Sequence, residues 1–266
     1  MTEHVTLEWD ERGGVTVHMD GSPQSHVQPD DPTLLVFEYV QHLALAIDAL
    51  PAGPLAVTHV GGAGLTLPRW VEATRPGSPQ IVLEPNEALT ALVRKEIPLP
   101  RRHRIRVRPV DGLTGVRALA DASADVVVTD AYAGGCVPAE LTSAAYVLEV
   151  GRVLKRDGMA LWNLADEPGM RYVARALATV RPSLPHVALI ATHEVLKAKR
   201  FGNSVVVASS APLPLERLRR DVARAHLPTG LREGAALERL LAGAKPFDPK
   251  GMQSPPPPET GRWRAR

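Results

Sequence analysis

Cysteine occurs once, at Cys136, so the chain can close no internal disulfide and build no cysteine-based metal site. His26, His59 and His193 have no ligand spacing between them, and no metal is expected. A charge excess is missing too: 31 Lys and Arg against 29 Asp and Glu leave a formal +2. The basic residues are scattered, except for the arginines at 101–108, whose simplest reading is a solvated face. Nucleic acid is therefore not an expected partner. Long apolar runs are also absent. Residues 43–50 form a short run broken by Asp48, so neither a membrane span nor a signal-like segment is expected, and a cytoplasmic setting is the default.

What is present is ample apolar material, 44% of residues, enough for the core of one α/β domain with small additions. The organising stretch is residues 55–84. An apolar run at 55–60 meets Gly61, Gly62 and Gly64. A segment of helical periodicity (Leu65, Leu67, Trp70, Val71) follows, then a Pro-Gly break and a second apolar run ending on Glu84. This pattern is strand, turn, helix, strand. The glycines allow a sharp turn and close approach of a ligand to the following helix's free N–H groups. Glu84 follows Gly64 by twenty positions, about where such units place a carboxylate for a ribose diol. The spacing is not GxGxxG, which argues against a nicotinamide dehydrogenase.

Before this unit, residues 5–9 and 15–20 read as a hairpin, and Asp30-Asp31-Pro32 as the cap and first residue of a helix running to about Leu50. After it, Asn86 caps a helix through Lys95. Ile105, Val107 and Val110 mark a third strand ending at Asp111-Gly112, and a short helix follows at 115–120. Residues 124–130, ADVVVTD, have the continuous apolar character of a central parallel strand. A Gly134-Gly135-Pro138 loop precedes a helix at 142–154, then a strand at 159–164 and a helix from Pro168 to about Val180. Strands at 186–192 and 204–209 are joined by too short a link for a crossover, so they should pair antiparallel. Helices are expected at 213–225 and 235–241. The expected fold is α/β: a Rossmann-like doubly wound sheet of about seven strands (residues 32–246), preceded by a β-hairpin region (1–31) and followed by a disordered proline-rich tail (247–266). Glu84, Asp111 and Asp130 then fall at the carboxyl ends of neighbouring strands, where doubly wound sheets bind nucleosides.

The glycine turn, Glu84, Asp111-Gly112, Asp130 and the late antiparallel pair resemble the class I S-adenosylmethionine-dependent methyltransferase fold. More narrowly, Asp20-Gly21-Ser22-Pro23-Gln24-Ser25, the segment from Asp30-Asp31 to Glu38-Tyr39, Asp130-Ala131-Tyr132 and Pro138-Ala139-Glu140-Leu141-Thr142 resemble the spermidine synthase (polyamine aminopropyltransferase) family over most of residues 5–210. The resemblance implies a dimeric transferase that binds S-adenosylmethionine or its decarboxylated form, releases methylthioadenosine in the latter case, and needs no metal. It would hand an alkyl (aminopropyl) group to a small-molecule amine or other nucleophile. It further implies that Glu84 grips the ribose, that Asp111 with Gly112 meets the adenine, and that Gly61, Gly62 and Gly64 pass beneath the sulfonium-bearing arm. Gln24 would seal the nucleoside from the hairpin side. Asp130 would take the proton of the reacting amine, and Tyr132 would border the substrate loop.

Three departures fall on the amine side. Ala63 stands where the family carries an aspartate in its glycine motif, Ala133 replaces a second aspartate after strand four, and Val36-Phe37 replaces a tyrosine-histidine pair. Asp30, Asp31, Asp166 and Glu167 are the available substitutes. The nucleoside half is thus kept and the amine half rebuilt. The alternatives are a small-molecule methyltransferase and an inactive nucleoside-binding homologue. Cys136, in the loop after Tyr132, has nothing near it in sequence that would lower its pKa.

Overall fold

The computed structural model describes residues 4–258. Trp263 and Arg264, at the end of the proline-rich segment, lie outside the described residues. The chain opens with Val5–Trp9 (β1), Val15–Met19 (β2) and Ser22–Val27 (β3), a three-stranded antiparallel sheet. The expected hairpin is therefore extended by one strand. Asp20 and Gly21 both take positive φ and turn the chain tightly enough for Ser22 to pair with Met19.

Glu38–Asp48 (α1) starts later than the Asp30-Asp31-Pro32 signal suggests. Asp31 instead folds onto Thr33, accepting from its backbone N–H at 3.0 Å and its hydroxyl, and so makes a local turn that competes with helix. The βαβ unit follows as Val57–Val60 (β4), Thr66–Thr74 (α2) and Gln80–Leu83 (β5). Asn86 caps Glu87–Glu96 (α3) as expected, accepting from Leu89 N at 2.9 Å. Ile105–Arg108 (β6) leads to Gly112–Arg117 (α4), which begins three residues early because Asp111 itself is the N-cap. Then come Ala124–Thr129 (β7), Ala144–Val153 (α5), Leu154–Asp166 (β8), Arg171–Val180 (α6), His186–Thr192 (β9), His193–Leu196 (α7), Gly202–Ser209 (β10), Leu215–Ala223 (α8), Thr229–Arg232 (β11) and Gly234–Leu241 (α9).

Eight of these strands form one sheet in the order β11-β9-β10-β8-β7-β4-β5-β6, one strand more than expected. The extra strand, β11, is a four-residue edge strand too short to show any alternation in sequence. Strands β4 to β8 run parallel, while β10 pairs antiparallel with both β8 and β9. The chain moves outward from β4 to β6 and then restarts on β4's other side with β7, so strand order reverses between β4 and β7.

The side-chain period of two divides β7 between the sheet's faces. Val126 and Val128 pack with Leu43, Trp70 and Leu218 from α1, α2 and α8. Val127 packs with Val116, Val147 and Leu177 from α4, α5 and α6. Each such fully buried side chain contributes roughly 1.5–3 kcal/mol. Two buried arginines fix α2 against its neighbours mainly through backbone carbonyls, with Asp48 at 3.8 Å from Arg75. Arg75 donates to Ile47 O (2.9 Å) and Pro51 O (2.7 Å) at the end of α1, and Arg69 to Ile97 O and Pro98 O (3.2 Å) at the end of α3. These carbonyls are the ones a helix terminus leaves unpaired.

Residues 247–258 are not the detached tail that their prolines suggest. Phe247 is buried, its ring 5.2 Å from that of Tyr172 and tilted 38° to it, and it lies under the Arg175 guanidinium at 4.7 Å. Farther on, Ser254 Oγ accepts from Val137 N at 2.9 Å, Ser254 N donates to Val137 O at 3.2 Å, and Thr142 Oγ1 donates to Met252 O at 3.1 Å. This pairing with the loop after β7 satisfies backbone groups that composition alone leaves unassigned. Replacing Ser254 with Ala is expected to speed hydrogen exchange at the Val137 amide and cost about 1 kcal/mol of unfolding free energy. Unchanged exchange at Val137 in a mass-resolved measurement would contradict the clasp.

Candidate functional site

The glycine turn is glycine because other parts of the chain press on it. Gly61 has φ +93°, and a Cβ there would collide with the carbonyl oxygen of Asp130. At Gly62 a Cβ would stand 2.9 Å from Val82, and at Gly64 it would crowd Ser25, Val27 (3.0 Å) and Val17 (3.1 Å) of the N-terminal sheet. The turn amides are already engaged. Gly62 N and Ala63 N donate to Glu84 Oε2 at 2.9 and 3.3 Å, and Gly64 N donates to Ser25 Oγ at 2.8 Å. The other Glu84 oxygen, Oε1, accepts from Asn86 N at 2.9 Å. Glu84 thus lies against the turn, as its place at the end of β5 requires.

Asp111 is exposed and spends Oδ1 on Thr114 N at 2.9 Å, a bond that holds its carboxyl below the usual range. Gly112 sits where a Cβ would strike Val60 and Leu141 (2.9 Å), so α4 packs directly on the end of β4. Gln24 turns its side chain toward Ser22 O at 3.4 Å, and its carbonyl accepts from Tyr39 Oη at 3.3 Å. Gly61, Glu84, Asp111 and Asp130 therefore stand just beyond the carboxyl ends of four adjacent strands, with Asp111 committed to capping and Gln24 to its own turn.

Asp130 anchors a polar cluster whose other members are far apart in sequence. Its Oδ1 accepts from Asn163 Nδ2 at 2.9 Å, and Asn163 Oδ1 accepts from Asn203 Nδ2 at 2.9 Å. Asn203 Nδ2 also donates to Tyr132 Oη at 3.1 Å, and that hydroxyl donates to Asn163 O at 3.3 Å. Burial pushes the Asp130 carboxyl up to about 6, with the Asn163 hydrogen bond opposing the shift. Burial first, and the Asp130 charge second, hold the Tyr39 and Tyr132 phenols neutral far above their ordinary range. The Tyr39 ring faces Phe37 at 6.0 Å and packs against the core around α1, and its hydroxyl meets Gln24 O.

The substitutes for the missing acids do not join this cluster. Asp166 is buried, but its oxygens accept from Glu167 N (2.8 Å) and Val173 N (2.9 Å), the latter capping α6 in place of Met170. Asp31 is held by Thr33, while Asp30 and Glu167 are exposed. Among the described residues no group of three or more His, Cys, Asp or Glu is arranged to hold a metal ion. Cys136 is buried. His59 is buried too, paired with Gln80 at 2.9 Å, and burial lowers its pKa to about 4.

Asn163 had one available signal, an amide near the carboxyl end of an otherwise apolar run. Asn203 had none, because its role depends on β10 inserting beside β8. A buried carboxylate with a raised pKa costs stability wherever it is ionised. That cost is present above about pH 6 and disappears as pH falls toward the unfolded value of about 4. Asp130→Asn is therefore expected to raise the unfolding free energy at pH 7.5 by up to about 3 kcal/mol, the equivalent of a rise from 3.8 to about 6. The gain should vanish below pH 4 in parallel denaturation curves, and a variant less stable than wild type at pH 7.5 would overturn the assignment.

No family model matches the sequence. The polyamine aminopropyltransferase of Neisseria meningitidis is 24% identical over 235 residues, covering 85% of this chain and 83% of that protein. Among solved structures, a probable spermidine synthase from Corynebacterium glutamicum matches with a TM-score of 0.84 and 26% identity, covering 92% of each chain. The spermidine synthase of Thermotoga maritima matches at a TM-score of 0.63 and 16% identity, over 92% of this chain and 81% of that one. Human methyltransferase-like protein 13, solved with SAH, matches at 0.58 and 20% identity, over 80% of this chain and 96% of that one. The chain is spermidine synthase-like, built on the class I methyltransferase fold.

Proposed function

We propose that this protein is an aminopropyltransferase-like enzyme that takes a decarboxylated adenosyl sulfonium donor and moves its alkyl arm from sulfur to the nitrogen of a small-molecule amine. The observation that carries this reading is Asp130: a partly buried carboxylate at the strand-order reversal, lifted to about 6 and oriented by Asn163. An amine is protonated at neutral pH and must lose that proton before it can attack carbon, and a carboxylate in this setting can accept it. The donor supplies a carbon made electrophilic by S⁺. The nitrogen lone pair forms the new C–N bond while the C–S electron pair returns to sulfur, leaving a neutral thioether. Glu84 keeps one acceptance for a ribose hydroxyl, on Oε1, since each carboxylate oxygen can accept twice and Oε2 already does.

The choice of donor rests on the turn. A donor carboxylate needs free amides at the helix entrance, and Gly62, Ala63 and Gly64 already donate to Glu84 and Ser25. The anion next to those amides is the protein's own. This arrangement disfavours intact S-adenosylmethionine and suits a donor that lacks the carboxylate.

Thermal shift should rise with methylthioadenosine and with the decarboxylated donor; a ligand at a hundred times its Kd adds about 2.7 kcal/mol. Intact S-adenosylmethionine should bind at least ten-fold more weakly. Asp130→Asn should lower kcat by about 10²–10⁴, and wild-type kcat/KM should fall below about pH 6 as the carboxylate takes up its proton. Absence of any shift with adenosyl thioethers removes the enzyme reading, and tighter binding of S-adenosylmethionine shifts it to methyl transfer.

A further inference from the structure

The loop between Asp130 and α5 touches the candidate site at both ends. At its root, a Cβ on Gly61 would collide with the Asp130 carbonyl and stand 3.0 Å from Ala131 Cα. At its far end, Leu141 Cδ2 lies 2.9 Å from the place of a Cβ on Gly112, the neighbour of Asp111. Between these points the loop holds itself weakly. Ala133 and Cys136 exchange backbone hydrogen bonds at 2.8 and 3.1 Å, Gly134 and Gly135 both take positive φ, and Ala133 and Gly134 are exposed. Two adjacent glycines give the backbone freedom and supply no side chain to pack.

The C-terminal strap fastens this loop from outside, and it has two anchors of unequal strength. The first is on α6. Arg175 donates to Lys245 O (3.1 Å) and Pro246 O (3.2 Å), Phe247 N donates to Thr179 Oγ1 (2.9 Å), and the Phe247 ring is buried. The second is on the loop. Ser254 brackets Val137 by bonding both its N–H and its carbonyl, and Pro257 Cδ lies 3.1 Å from the place of a Gly135 Cβ. Ser254 is buried, but Met252, Gln253 and Pro256 around it are exposed. A few hydrogen bonds in exposed surroundings open locally at much lower free energy than a buried ring on a helix. Gly251 is the bend between the anchors. Its φ is +79°, its N–H donates to Asp248 O at 2.8 Å, and a Cβ there would run into the Ala139 carbonyl and stand 3.0 Å from Ser143 N.

We propose that residues 248–258 are a latch. Release of Ser254 from Val137, with Phe247 still seated, frees the Gly134-Gly135 loop and lets a ligand enter or leave the crevice beside Asp130. This rests on the reading of that crevice as an adenosyl site. In the latched state Tyr132 keeps its hydrogen bonds to Asn163 and Asn203, so closing the latch also completes the polar cluster.

Cys136 supplies the readout. It is the one cysteine of the chain, it is buried, and it precedes Val137, so a thiol reagent reaches it only when the loop leaves its place. In wild type, alkylation by iodoacetamide is expected to be slow and almost independent of urea below the unfolding transition, because a local opening exposes little surface. Gly251→Ala, which forces a methyl group against Ala139 O at positive φ, should speed alkylation roughly ten-fold or more. Ser254→Ala, which removes one hydrogen bond, should speed it about five-fold. Stopped-flow binding of methylthioadenosine then tests the gate. A latch speeds entry and exit together, so Gly251→Ala should raise kon and koff each by about five-fold or more, with Kd within about three-fold of wild type; a lost contact would raise koff alone. Alkylation unchanged in both variants, or following global unfolding in urea, overturns the latch and leaves the transferase reading intact. Faster alkylation with unchanged kon and koff overturns its role as a gate. Failure of wild type to bind methylthioadenosine is a different outcome: it removes the adenosyl-site reading, and the gate with it.

Discussion

The closeness of two strand ends governs the rest of this structure. Asp130 N donates to Val60 O at 2.8 Å, and Gly61 then passes so near the Asp130 carbonyl that no side chain could be accommodated. This contact holds β4 and β7 together where strand order reverses, the place at which doubly wound sheets bind ligands. It places a glycine directly against Asp130, so the positions of the turn and of that carboxylate are tied together. The N-terminal sheet reinforces the same point from above: Ser25, Val17 and Val27 press on Gly64, and Val17 joins Leu65, Val82 and Leu89 in a small core of its own.

Charge is handled in this fold by hydrogen bonding more than by ion pairing. Arg69 and Arg75 are buried and neutralise little; they satisfy the carbonyls that end α3 and α1. Burial lowers the Arg69 pKa to about 10, which still leaves it cationic at neutral pH. Asp166 accepts from backbone amides, and Asp111 caps a helix. After these assignments, Asp130 is the carboxylate whose remaining capacity faces a polar cluster and not the backbone. A partly buried carboxylate with a raised pKa destabilises the native state at neutral pH, and such a group at a strand end is a candidate for chemistry.

The strap formed by residues 247–258 adds a third tie. It begins in the α6 contact of Phe247 with Tyr172 and ends by pairing Ser254 with Val137, so it connects α6 to the loop that follows Asp130-Ala131-Tyr132. That loop carries two glycines of positive φ and an isolated Ala133–Cys136 bridge, a geometry with few hydrogen bonds of its own. Fixing it from outside limits the freedom of Tyr132, whose hydroxyl closes the ring of bonds with Asn163 and Asn203.

Much of this was written locally in the sequence. The glycine turn, the apolar 124–130 strand, the Asn86 cap and the antiparallel pairing across a short link each depend on neighbours within a few residues, where spacing and side-chain type decide conformation. So did the placing of Glu84, Asp111 and Asp130 at strand ends. Tertiary structure alone decided the remainder. It assigned Asp111 to a helix cap, since the carboxyl-end position and the cap position are the same residue. It added β11, whose four residues gain their conformation from pairing with β9. It docked a proline-rich segment whose composition suggests no partner, because the acceptors it needs belong to residues more than a hundred positions away. And it set Asn163 beside Asn203 across two strands, since a hydrogen-bond network of this kind exists only once the sheet order is fixed.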